Sequence, residues 1–165
     1  MKYLFEVFKD NEATNNHKIL ILRIFCNLFI HNKDFMIKDY IRESILENFS
    51  IILDSDNKNI RASFASLLFN FTILMHVSLE NEPVLQIISI LNEILLEEKD
   101  ASILQNTLLS IGNMLCNNPN TVNIAKDLGL LDSLEGLNNL NETPHNLNKQ
   151  LLNTMNGFKI DWCKI

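Results

Sequence analysis

Apolar positions recur along this chain at the three-and-four spacing of helices that bury one stripe. Residues 16–31 show it first, with Ile21, Leu22, Phe25, Leu28 and Phe29 in phase. Residues 38–53 repeat it through Ile41, Ile45, Phe49, Ile52 and Leu53, and the turn Asp54-Ser55-Asp56-Asn57 closes that helix. Residues 59–78 and 82–97 form the next pair, with Pro83 in a first turn where its missing N–H has no intrahelical partner to lose. Asp100 is placed to cap residues 101–116, Asn118-Pro119 ends that helix, and Gly129 separates two shorter ones. Thr143-Pro144 starts the last helix, with Thr as cap and Pro at its first position. Residues 1–9, rich in Tyr3, Leu4, Phe5, Val7 and Phe8, read as what is left of a preceding helix. The pattern predicts about eight helices, short loops and no strand.

The helices fall into a longer period. Asn27, Asn70, Asn113 and Asn156 stand 43 residues apart. Their neighbours keep the same register: Leu22, Ala65, Leu108 and Leu151 lie five positions before each asparagine, and Phe25, Leu68 and Ile111 two before. A period of this size with two or three helices per unit belongs to armadillo and HEAT arrays. The expected fold is therefore all-α: an armadillo-like α-solenoid, a right-handed superhelix of about four such repeats. Residues 1–165 read as a single domain forming the C-terminal portion of a longer solenoid. Units of this kind stack because none buries its apolar face alone, and the stack leaves an extended surface suited to binding a partner.

Each asparagine shares a helix face with other polar residues. The sets are Asn16, Arg23 and Asn27; Asn59, Ser63, Ser66 and Asn70; Ser102, Asn106, Ser110 and Asn113; Lys149, Asn153 and Asn156. A side-chain amide both donates and accepts, so a row of them can pair with the backbone of an extended peptide whatever its sequence. The competing expectation is that these residues cap or crosslink neighbouring helices.

Composition narrows the function classes. Gly 4 and Pro 3 are too few for a turn-rich β fold, and a net charge of −6 argues against binding nucleic acid by phosphate neutralisation. Cys26, Cys116 and Cys163 are odd in number and lack C-x-x-C spacing; Cys26 and Cys116 are expected to be buried reduced thiols. The apolar run Ile19 to Ile30 contains Arg23 and Asn27 and is too short to span a bilayer. With no signal peptide at the start, the expected compartment is the cytoplasm, with the nucleus second. Asp54-Ser55-Asp56 opens like a calcium loop, but Asn59 stands where that loop needs glycine and Ala65 where it needs glutamate. The four histidines share no ligand spacing, and there is no phosphate loop or nucleophile elbow. Neither an enzyme nor a cofactor is expected.

Three segments carry a resemblance. Leu22-Arg23-Ile24-Phe25-Cys26-Asn27-Leu28-Phe29 is similar to a pattern L-R-x-F-C-N-x-F, Asn57-Lys58-Asn59-Ile60 with Asn70 to N-K-N-I…L-N, and Ala125-Lys126-Asp127-Leu128-Gly129 to A-K-x-L-G. In this order they resemble the PUL domain, the C-terminal armadillo-like part of phospholipase A-2-activating proteins, over about residues 15–137. The resemblance implies a domain that holds the acidic C-terminal tail of the AAA+ segregase valosin-containing protein, in ubiquitin-dependent protein turnover. Contact with ubiquitin would then fall to other domains of the parent chain. By position, Arg23 would be a groove cation for the tail carboxylates, with Lys18, Lys58 and Arg61 beside it. Asn27, Asn70 and Asn113 would hold the peptide backbone, and Ser66 and Asn106 belong to the same stripe. The family domain usually has more repeats than are visible here, and Ser66 and Leu109 stand where the first unit has Arg23. The alternative is a structural segment that packs on other domains of its parent or holds another extended peptide.

Overall fold

A computed structural model describes residues 2–74, 81–117, 120–137 and 145–155. Among these there are ten helices and no strand. They are α1 (Lys2–Lys9), α2 (Asn15–His31), α3 (Phe35–Leu46), α4 (Phe49–Leu53), α5 (Lys58–Leu74), α6 (Asn81–Glu97), α7 (Ala101–Asn117), α8 (Asn120–Asp127), α9 (Leu130–Leu137) and α10 (His145–Met155). The chain divides into two compact units, Met1–Phe71 and Thr72–Ile165.

The first unit is built on aromatic rings. α1 packs on α2, and α2 on α3. Phe5 of α1 stacks on Phe25 of α2 at 4.4 Å between centroids, and Tyr40 of α3 meets Phe5 edge-on at 6.1 Å. Phe29 lies against Phe71 at 4.4 Å. Rings this close add specific quadrupole attraction to the burial of their area. The segment read as a helix remnant is thus a working part of the core, with Phe5 and Phe8 buried.

Caps set the boundaries. The Thr14 hydroxyl accepts from His17 N–H (3.3 Å) at the start of α2, and Asp34 accepts from Met36 N–H (2.9 Å) at the start of α3. Asn57 accepts from Asn59 N–H (2.9 Å), so the turn before α5 supplies its cap. The single helix expected over 38–53 is in fact two. At Asn48 the backbone leaves helical geometry (φ −122°, ψ 15°) while its side-chain amide donates to the Ser44 carbonyl at 2.6 Å. That bond satisfies a carbonyl which the break would otherwise strand, so the chain bends at small cost. Periodicity alone does not register such a break, because Ile45, Phe49 and Ile52 stay in phase across it.

The second unit packs without described aromatic side chains. α7 lies against α6, α8 and α10, and α9 against α6, α8 and α10. Ile103, Leu104, Leu108 and Ile111 of α7 are buried, as are Val84, Ile87, Ile88 and Leu91 of α6. Asp100 caps α7 as expected, accepting from the N–H groups of Ser102 (3.0 Å) and Ile103 (3.2 Å). Gly129 has φ +74°, the left-handed conformation that ends α8 and lets α9 begin, and its N–H donates to the Lys126 carbonyl (3.0 Å). Two asparagines outside the 43-residue register tie backbone carbonyls. Asn92 donates to the Leu128 carbonyl (3.1 Å), and the fully buried Asn148 to the Leu134 carbonyl (2.8 Å). The signals at Asn118-Pro119 and Thr143-Pro144 lie outside the described residues, as do Asn156 and Cys163.

Candidate protein-interaction surface

The first unit brings two of the expected site residues, Arg23 and Ser66, to one surface hollow. Arg23 and Cys26 of α2 line it together with Asn59, Ala62, Ser63 and Ser66 of α5, enclosing about 230 Å³. Arg23 is exposed, and among the described residues no carboxylate lies within ion-pair distance of it. The Ser63 and Ser66 hydroxyls donate to the carbonyls of Asn59 (2.8 Å) and Ala62 (3.0 Å), so their oxygens face the hollow as acceptors unless a ligand re-aims them. The guanidinium of Arg23 and the side-chain NH₂ of Asn59 are donors matched to a carboxylate.

Cys26 forms the back of this hollow. Burial pushes its thiol up from 9.0 to about 11, and a hydrogen bond from Asn70 offsets part of that rise. Asn70 is half-buried and crosslinks α5 to α2 through that bond. Asn113, in the second unit, donates to the Thr72 hydroxyl at 3.4 Å and is also half-buried. Asn27 differs from both: it is exposed and lines a second hollow of about 530 Å³ with Leu28, His31, Asn32 and Lys33.

The remaining cations are spread out. Lys18 lies over the Phe8 ring (6.0 Å), and the Arg61 guanidinium donates to the Ser55 carbonyl (2.7 Å). Lys58 is exposed in the first turn of α5. None of the three lines either hollow. In the second unit Asn106 is half-buried and its carbonyl accepts from Ser110, whose side chain is fully buried, so Ser110 leaves the polar stripe. Cys116, expected to be buried, is exposed, because it stands in the last turn of α7 beyond the packed part of that helix.

One charge pattern follows the helix boundaries. α2, α5, α7 and α10, the helices of the asparagine phase, contain no aspartate or glutamate, although the chain has 20. α2 and α5 carry Lys18, Arg23, Lys58 and Arg61, α7 carries no charge, and α10 carries Lys149.

The model of the PUL domain family matches residues 2–153. This chain belongs to the PUL domain family. The PUL domain here is similar to the Xenopus laevis phospholipase A-2-activating protein, 25% identical over 128 residues, which cover 78% of this chain and 16% of that protein. The chain thus spans about a sixth of the relative's length. Its fold matches the crystal structure of an engineered protein with a TM-score of 0.64 at 17% identity, over 92% of this chain and 62% of the other. The PUL domain is an all-α, armadillo-like fold, and it is a protein-interaction domain. Among its described residues no helix is long and apolar enough to cross a membrane.

Proposed function

We propose that this PUL domain is an adaptor that captures the acidic C-terminal tail of the AAA+ segregase valosin-containing protein in ubiquitin-dependent protein turnover. The observation that supports the reading is the exclusion of every acidic residue from α2, α5, α7 and α10, with Lys18, Arg23, Lys58 and Arg61 on the first two and Lys149 on the last. A polyanionic segment meets no like charge on those helices, and exposed cations within about 10 Å act on it at physiological salt. Arg23 takes a tail carboxylate in the hollow that Ser66 lines on its α5 side. Exposed Asn27 pairs with the peptide backbone. Asn70 ties α5 to α2 behind Arg23, Asn106 and Asn113 serve the packing of the second unit, and Lys18, Lys58 and Arg61 contribute to the field. The chain is the C-terminal portion of a longer solenoid, works in the cytoplasm and nucleus, and leaves ubiquitin to other domains of its parent. No catalysis is assigned to it.

An exposed ion pair contributes roughly 0–1 kcal/mol and a net hydrogen bond about 1 kcal/mol, so after the tail is ordered the affinity is roughly micromolar. Fluorescence anisotropy with the tail peptide at low and high salt tests this. Binding should weaken steeply with salt, and Arg23→Ala should weaken it further without loss of helix content. Salt-independent binding, or none, sinks the reading.

A second reading rests on exposed apolar side chains of the first unit, Tyr3 (78%) and Met36 (80%) among them. These favour a segment that also packs on other domains of its parent. Failure of the tail to bind, together with protection of Tyr3 and Met36 from labelling in the full-length parent, would favour it instead.

A further inference from the structure

We infer that the end of α2 carries a second anion-accepting hollow, built by Asn27, His31 and Lys33, which takes another acidic side chain of the same bound segment. The inference rests on the acidic-tail reading and adds a spacing rule to it. Arg23, Asn27 and His31 are four residues apart in turn, so they share one face of α2 over successive turns. Arg23 lines the smaller hollow, and Asn27 and His31 the larger, a shallow, open depression that also includes apolar Leu28. Its polar lining is two amides, an imidazole and an ammonium group.

The charges around the larger hollow bear this out. Asp34, the nearest carboxylate in sequence, is turned to the first turn of α3, where it accepts from Met36 N–H. Its own N–H donates to the Asn32 side-chain oxygen (2.8 Å). The C-terminal end of a helix opposes an anion with roughly half a negative charge. Here the Asn32 N–H takes up the Leu28 carbonyl (2.9 Å), and Lys33 stands just beyond with a full positive charge. The balance favours an anion.

Eight residues of helix separate Arg23 from His31, a rise of roughly 12 Å. An extended chain covers that distance in three to four residues at roughly 3.3 Å each. The bound segment should therefore present acidic residues at that separation, one to each hollow.

The test is a coupling cycle with the acidic tail peptide and a series in which each acidic residue in turn is replaced by its amide. The proteins are wild type, Arg23→Gln, the pair His31→Gln with Lys33→Gln, and Lys33→Glu, each checked by circular dichroism. The paired variant should bind the parent peptide about fivefold more weakly at low salt, and Lys33→Glu should be weaker still. One acid, three or four residues from the acid that couples to Arg23, should lose its effect in the paired variant. If Arg23→Gln weakens binding but no acid couples to His31 and Lys33, the second hollow is overturned and the tail reading stands. If the wild type binds no acidic peptide, both fall together.

Discussion

The two units solve the same packing problem with different side chains. Nine of the ten phenylalanines lie in residues 1–71, where Phe5 stacks on Phe25 and Phe29 lies against Phe71. The described core of residues 72–165 is aliphatic, and its polar interior is closed by asparagine and hydroxyl bonds to backbone carbonyls. Charge divides the same way. Residues 1–71 hold nine basic and nine acidic side chains and are neutral, whereas residues 72–165 hold five and eleven and carry the whole −6. The comparison teaches that the net charge of the chain describes residues 72–165 and not residues 1–71, which include Arg23.

Four measurements would break or sharpen that contrast. The largest effect is expected from the aromatic core. Phe25→Ala, which unstacks Phe5, should cost about 3–5 kcal/mol in chemical denaturation, more than Leu108→Ala in the aliphatic unit. Equal costs would mean that the stacking adds nothing beyond area. Next comes the polar interior of the second unit: Asn148→Ala strands the buried Leu134 carbonyl and should cost about 1–3 kcal/mol.

The thiols should differ by at least about tenfold in alkylation rate at neutral pH, Cys26 being slower than exposed Cys116, because only the thiolate reacts. Mass spectrometry after brief labelling reads this directly, and comparable rates would contradict the burial of Cys26. The neutral thiol's contribution to stability is present below the ordinary 9.0 and is lost as pH rises through about 11. The smallest effect concerns charge on the proposed binding helices. Ser63→Asp beside Arg23 should weaken the tail peptide about fivefold at low salt, and Asn106→Asp in the second unit by less than about twofold. The reverse order would move the anion site out of the first unit.

Helix type and approximate extent were legible because burying one stripe imposes a period that local residues carry. The caps Asp100 and Asn57 and the left-handed Gly129 are equally local, since each acts within a few residues of itself. The break at Asn48 was hidden because it preserves the apolar phase and depends on one side chain turning back to Ser44. The fate of the repeating asparagines was also out of reach. Asn27 faces solvent, while Asn70 and Asn113 reach Cys26 and Thr72, 44 and 41 residues away, and spacing cannot tell these apart.

The sequence by itself determined an all-α repeat fold and the family, because both are written in short-range periodicity and in motifs a few residues long. Only the tertiary structure decided which polar residues share a hollow and which thiol is shielded. Those facts depend on side chains from helices distant along the chain being brought within a few ångströms, and on burial, which a residue acquires only from its neighbours in space.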